Sequence, residues 1–255
     1  PFIDDVGSTF WMVNQGKEFL PVEFREPSGL ERVRALVAEA DVLIEGFRPG
    51  LMDRVGRGAS EMTALNPRLI YTSLTGYPED GPWQRKAGHD LNFLAVSGFL
   101  ATGGRASSLP PTQIADLAGS LAATAAILAA LVERGTTGRG RRVTVSMAET
   151  VHSLLSVPLG EARAEGRDPD GPRWWNGAHP FYRLYETEGG GRLAVAALER
   201  SFAVALLDAL GLERLRELAD DPLAHAETLT AEIGRVLRGA AAIEWEERLK
   251  NKDVC

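Results

Sequence analysis

Two short motifs in this chain carry residue types that can move protons. Gly88-His89-Asp90 opens an apolar, helix-like stretch from Leu91 to Gly103, and a lone Asp116 stands at the head of a second, alanine-rich one. A histidine and a carboxylate, each held at a helix start, can serve as an acid/base or nucleophile pair once the fold brings them together. Imidazole as a group titrates near neutrality, which suits reversible proton exchange. Asp116, followed by Leu117-Ala118-Gly119, also has the form of an ordinary N-cap aspartate. The positive end of a helix would favour its carboxylate in either role. His89 alone reads equally well as a structural histidine, and Asp90 as a first-turn acid.

The elements that must position these residues follow from patterning. Leu20 to Phe24 is a short strand candidate, and Ser28-Gly29-Leu30-Glu31 has capping-box spacing ahead of an apolar face of Leu30, Val33, Leu36 and Val37. Asp41 to Glu45 and Arg68 to Leu74 are apolar runs with the signature of buried strands, separated by short helices at Leu51–Val55 and Ser60–Leu65. Strands alternating with helices predict parallel pairing and an α/β layer. Gly76, Pro78, Gly81 and Pro82 make 75–87 a loop. Two long helices are expected at 89–102 and 116–134, separated by Gly103-Gly104 and Pro110-Pro111. Val143 and Val145 alternate as a strand, and Met147 to Leu155 returns to helix. Gly166 to Gly177 reads as a linker, so the expected division is a large α/β domain over 1–165 and a smaller α+β domain over 166–255. In the latter, Phe181–Glu186 and Arg192–Leu198 flank Gly189-Gly190-Gly191 as a hairpin, and the chain from Ser201 is helical.

Composition bounds the function classes. The chain has 255 residues, 44% hydrophobic and 25% charged, which is ordinary for a globular protein with a full core. A net charge of −7 argues against a general nucleic-acid binder and leaves room for a local basic pocket. The longest uncharged run, Leu117 to Val132, has 16 residues, short for a membrane span, and reads as a buried helix. Cys255 is the one cysteine, which rules out a disulfide within these residues and fits a cytoplasmic protein. His152, His179 and His225 lack acids at metal-ligand spacing, so no metal is expected. The start at Pro1, without Met and without a signal pattern, and the end at Cys255 read as cuts at both ends.

Six stretches in order carry a further signal: Asn14-Gln15-Gly16-Lys17; Ala40 to Gly50 (ADVLIEGFRPG); Asn66-Pro67-Arg68-Leu69-Ile70-Tyr71; Gly88-His89-Asp90-Leu91-Asn92-Phe93; Ile114-Ala115-Asp116-Leu117-Ala118-Gly119; and Thr137-Gly138-Arg139-Gly140. Weaker matches follow at Pro180-Phe181-Tyr182 and Ala197 to Phe202. Together they resemble the family III CoA-transferases, a family that includes the α-methylacyl-CoA racemases. The resemblance spans nearly the whole chain, and family members are longer at both ends. It implies a Rossmann-like large domain, a smaller domain, an interlocked homodimer and an active site between domains. It also implies an acyl-CoA enzyme in which no cofactor is bound covalently and coenzyme A enters as part of the substrate. No nucleic-acid or membrane partner is implied.

Carried over residue by residue, the resemblance gives Asp116 the place of the key carboxylate, a nucleophile in transferases and a proton carrier in racemases. His89 stands where the racemase branch has its histidine, and Glu199 matches a glutamate that pairs with it and sets its tautomer. Arg48, Arg54 and Lys17 match CoA contacts, although each also reads as a solvated surface charge, and Gln15 replaces a position often basic in the family. Independently, Arg48 follows the Asp41–Glu45 strand, at the carboxyl end where open α/β sheets bind ligands. Gly88 and Asp90 flank His89 and are placed with the CoA-binding residues; Asp90 could position the thioester. Asn176-Gly177 stands where the family often has a longer glycine run, a reduction that favours the racemase. Trp174-Trp175 is either a hydrophobic patch or part of an acyl pocket. Racemisation leads, CoA transfer through an Asp116 adduct is the alternative, and CoA binding without turnover is a third reading.

Overall fold

The computed structural model describes residues 1–3, 5–24, 26–102, 109–168 and 173–255. By its internal contacts the chain forms two units: Pro1–Ser97 with Pro110–Leu155, and Gly98–Leu109 with Ser156–Cys255. The first unit thus ends at Leu155, and the described parts of the expected linker, 166–168 and 173–177, fall within the second unit.

The first unit begins with a small antiparallel pair, β1 (Phe2–Ile3) and β2 (Val6–Gly7), and a short helix α1 (Ser8–Val13). No strand forms at Leu20–Phe24. Pro21 has no amide to donate to a ladder, and the Glu23 carbonyl instead accepts the Glu26 N–H at 3.1 Å. Helix α2 (Pro27–Glu39) starts with Pro27 in its first turn, so Ser28 lies inside it and the expected capping box is not made. Glu31 pairs with Arg57 at 3.1 Å instead. The chain continues through β3 (Val42–Glu45), α3 (Leu51–Arg54), α4 (Ala59–Leu65) and β4 (Ile70–Thr75). After a loop come α5 (Asp90–Val96), α6 (Phe99–Thr102) and α7 (Ile114–Thr137), then β5 (Arg142–Ser146) and α8 (Met147–Leu154).

Strands β3, β4 and β5 form a parallel sheet in that order, with Val42 opposite Ile70 and Tyr71 opposite Arg142. The central strand is covered on both faces, as its apolar run predicts. Leu69 and Tyr71 pack with Val37 and Met62 from α2 and α4, whereas Ile70 packs with Ile127 and Ala130 from α7. Successive side chains alternate faces, so this one strand holds together a helix–sheet–helix sandwich. Ala115, Gly119, Ala123, Ile127 and Ala130 form the buried stripe of α7, at helical spacing. A side chain at Gly119 would lie 2.8 Å from Met147 Cγ, so the small residue lets α7 approach α8. The rest of α7 is not buried: Leu117, Leu121, Leu128 and Val132 are exposed. With 24 residues the helix is also long and apolar enough to cross a bilayer, contrary to the shorter span expected from sequence.

The single helix expected at 89–102 is broken. Gly98 adopts φ +89°, a left-handed conformation that glycine takes at little cost, and the chain turns there from α5 into α6. The expected Gly103-Gly104 break lies outside the described residues.

The second unit contains α6, α9 (Ser156–Glu165), a 3-10 turn at Trp174–Asn176, the hairpin β6 (Tyr182–Glu186) and β7 (Arg192–Ala196), α10 (Arg200–Ala209), a 3-10 segment Glu213–Asp220, α11 (Ala226–Leu237) and α12 (Ala242–Leu249). The hairpin is antiparallel, and Gly189 and Gly190 both have positive φ at its tip, as the glycine run predicts. Tyr185 and Val195 project from it into a core completed by Leu206, Leu207, Leu229, Ile233 and Trp245. The 3-10 turn is anchored: Arg173 is buried, bonds Glu165 and lies 5.9 Å from the Trp175 ring, so 173–176 are structured parts of this unit.

Candidate active site

The segments at the carboxyl ends of all three parallel strands converge on one cleft of about 590 Å³. Gly46 to Pro49 follow β3, Thr75 to Tyr77 end and follow β4, and Met147 follows β5. This is where open parallel sheets hold ligands, because the strand ends and helix starts leave backbone groups pointing outward.

Four of the expected residues line this cleft together: Arg48, Gly88, His89 and Asp116. His89 is the N-cap of α5 and is exposed. Its N–H donates to Asn92 Oδ1 at 3.1 Å, and its carbonyl accepts the Asn92 N–H at 2.8 Å. One residue thus holds the backbone of His89 from both sides. Behind it, the Phe93 ring is buried and meets Tyr77 edge-on with centroids 5.1 Å apart. A side chain at Gly88 would lie 2.8 Å from both Phe93 Cε1 and Tyr77 Oη, so Gly88 serves close packing as well as the cleft wall.

Asp116 is not an N-cap. Gln113 holds that position, without a side-chain cap of its own, and Asp116 lies in the first turn of α7. Burial pushes its carboxyl above the ordinary carboxylate range, neighbouring Asp90 adds to the rise, and His89 opposes it. A helix start favours a carboxylate by roughly 0.3–1 kcal/mol; here burial and the second acid outweigh that. A carboxyl that resists ionisation can store a proton and release it again, which a freely solvated aspartate does poorly at neutral pH. The sign of the stability effect follows. The contribution is fully present below the unfolded-state pKa and is lost as pH rises through the raised folded-state pKa. Asp116→Asn is therefore expected to melt higher than the parent at neutral pH. That gain should shrink as pH falls toward about 4, which thermal melts followed by circular dichroism would show. A lower melting temperature at neutral pH would mean that the helix start dominates instead.

The other expected residues are elsewhere. Asp90 is the first residue of α5, and its Oδ1 accepts the Ala115 N–H at 2.6 Å and the Asp116 N–H at 3.2 Å. Its carboxylate faces the start of α7 and is not part of the cleft lining. Arg54 is exposed at the end of α3 and does not line the cleft. Lys17 Nζ donates to Val13 O at 2.8 Å and Asn14 Oδ1 at 3.1 Å, closing the end of α1. Glu199 belongs to the second unit, where it is the exposed N-cap of α10. Trp175 lines a separate cleft of about 550 Å³ in that unit with Tyr182 and Leu184, and Trp174 Nε1 donates to Glu161 Oε1 at 2.8 Å. Sequence reading did not single out Lys86, Tyr77 or Asn92, all of which line the first cleft. Lys86 carried a usable signal, a cation three residues before His89. Among the described residues no group of three or more His, Cys, Asp and Glu side chains is arranged to hold a metal.

The family model for CoA-transferase family III matches residues 1–255. The chain belongs to the CoA-transferase family III. It is 34% identical over 247 residues to alpha-methylacyl-CoA racemase of Mus musculus, covering 94% of this chain and 65% of that protein. Acetyl-CoA:oxalate CoA-transferase of Acetobacter aceti is 31% identical over 260 residues, covering 96% of this chain and 65% of that one. The crystal structure of a CAIB/BAIF family protein from Brucella suis superimposes with a TM-score of 0.79 at 28% identity, over 93% of this chain and 65% of that one. This family III chain thus spans just under two thirds of the length of these relatives. Relatives of both kinds, racemase and transferase, match 94% and 96% of this chain, so family membership alone leaves the chemistry to the side chains.

Proposed function

We propose that this chain forms the main part of a 2-methylacyl-CoA racemase or epimerase, acting by proton exchange at the carbon next to the thioester. The observation that carries this reading is that His89 and Asp116 line one cleft and that the Asp116 carboxyl is held toward its protonated form. One group removes the α-proton, the C–H electron pair forms a C=C bond as the carbonyl π pair moves onto the thioester oxygen, and an enolate results. The other group then delivers its proton to the opposite face and the carbonyl re-forms. Neutral imidazole with protonated carboxyl runs one direction, imidazolium with carboxylate the other. Each state holds one proton between the pair, so the raised Asp116 brings the two closer in energy. The oxyanion needs N–H donors. Those of Ala115 and Asp116 are taken by Asp90 and that of Asn92 by the His89 carbonyl, which leaves the N–H groups of Asp90 and Leu91 in the first turn of α5.

Arg48 at the strand end, joined by Lys86, supports a site for the phosphates of coenzyme A. Arg48→Ala is expected to weaken CoA binding roughly tenfold at low salt. The loss should be smaller at high salt, where the Debye length contracts to about 3 Å. Arg54→Ala and Lys17→Ala should change binding less, since neither side chain lines the cleft. Calorimetric titration at two salt concentrations checks this, and an unchanged Kd for Arg48→Ala removes it from the site.

The alternative, CoA transfer between carboxylic acids with Asp116 as nucleophile, is favoured by the 31% identity to the acetyl-CoA:oxalate enzyme. Deuterium wash-in at the α-carbon tests the first reading. An Asp116 thioester trapped with hydroxylamine, without wash-in, would establish the second. We further propose a homodimer, for which the exposed Leu117, Leu121, Leu128 and Val132 of α7 offer an apolar face, and light scattering of the complete protein decides it. A Rossmann-like complete domain, the pairing of Glu199 with His89, and a cytoplasmic location without nucleic-acid or membrane partners belong to the same reading.

A further inference from the structure

We propose that Asp90 is a positioning residue: through two bonds to the backbone of α7, its carboxylate fixes the Asp116 turn against the α5 turn that carries His89. This rests on the proposed proton exchange between His89 and Asp116. A helix leaves its first N–H groups without intrahelical partners, and the N-cap of α7, Gln113, supplies no side-chain bond. Asp90, 26 residues earlier in the chain, supplies the missing acceptor with a single oxygen shared between Ala115 and Asp116. Its own backbone is the first turn of α5, directly after His89. One residue, Asp90, and one hydrogen bond therefore join the backbones of the two proton-carrying groups. Asn92 fixes the His89 backbone at the same point, so both ends of the path are held.

The carboxylate acts through its charge as well. Asp90 is a second acid beside Asp116 and raises its carboxyl further, after burial, while His89 lowers it. Arg48 and Lys86 also line the cleft, as cations. Geometry and charge can be separated by substitution. Asp90→Asn keeps an oxygen able to accept both N–H groups but removes the charge. Asp90→Ala removes both.

The experiment measures two things on the parent and both variants. The first is α-proton exchange on a 2-methylacyl-CoA as a function of pH. The second is titration of the Asp116 side-chain carbon by NMR, which needs no turnover. For Asp90→Asn the expected result is an Asp116 pKa below that of the parent, a matching shift of the acidic limb of the pH profile, and near-parent KM. For Asp90→Ala the expected result is a fall in kcat of up to ~10²-fold from misplacement, with a smaller change in KM. An Asp116 titration and an acidic limb that stay at the parent values in Asp90→Asn would overturn the electrostatic role. Parent-like kcat in a folded Asp90→Ala would overturn the geometric one. If the parent shows no α-exchange while Asp90→Asn still lowers the Asp116 pKa, the proposed reaction fails and the electrostatic role of Asp90 stands.

Discussion

His89→Ala and Asp116→Asn are each expected to slow α-proton exchange by ~10²–10⁴-fold, the usual contribution of a positioned acid/base group, while acyl-CoA still binds. The reasoning is chemical. Inverting a carbon through a planar enolate needs a proton taken from one face and one delivered to the other. Either loss leaves the cleft with half of that machinery. The double variant should be little worse than either single one, because the two residues act as one unit and their effects do not add. The parent rate should follow a bell-shaped pH profile, since the pair must hold one proton, and its two limbs belong to the pair rather than to either residue. Deuterium wash-in followed by mass spectrometry reads all three variants. Loss of activity in Asp116→Asn alone, with full activity in His89→Ala and a trappable adduct, would turn the reading to CoA transfer.

Gly88→Ala is expected to lower both stability and turnover without touching a charged group. The added methyl group would lie 2.8 Å from Phe93 Cε1 and from Tyr77 Oη. Neither ring has room to yield: Phe93 is 5% and Tyr77 4% exposed, and Tyr77 is backed by Trp83 with centroids 5.6 Å apart. Overpacking of this kind costs about 1–3 kcal/mol, or roughly 2–12 °C in melting temperature for a chain of this size. Because Phe93 lies in the same helix that His89 caps, a displaced ring also moves the imidazole, and a shift near 1 Å can cost ~10² in kcat. Phe93→Leu in the Gly88→Ala background should restore part of both losses by making room. A parent-like melting temperature with parent-like exchange would show that the rings adapt.

The local features of this protein were legible in its residues. The two apolar runs became β3 and β4, paired in parallel, because a strand buried on both faces needs an uninterrupted apolar sequence wherever it sits. The glycines at 189 and 190 made the hairpin tip because a tight reversal needs positive φ. His89 at a helix start and Arg48 at a strand end follow from the chain's own punctuation. In each case the deciding interaction lies within a few residues of the sequence.

The features decided by the tertiary structure all depend on partners far apart in the chain. Ser28 and Glu31 had capping-box spacing, but Pro27 in the first turn placed Ser28 inside the helix, and Glu31 bonded Arg57. Asp116 looked like a cap, yet the cap came from Asp90, whose side chain reaches α7 only because α5 and α7 pack together. Lys86 joined the cleft because the loop after β4 returns over the strand ends, a path that composition does not specify. Whether the Asp116 carboxyl holds a proton is likewise a tertiary property. It depends on burial and on a neighbouring acid 26 positions away, and neither can be read from the residues beside it. The sequence by itself determined which side chains could exchange a proton. The packing of two helix starts at the edge of a parallel sheet decided that they share one cleft, because only three-dimensional packing removes water and brings distant charges within reach of each other.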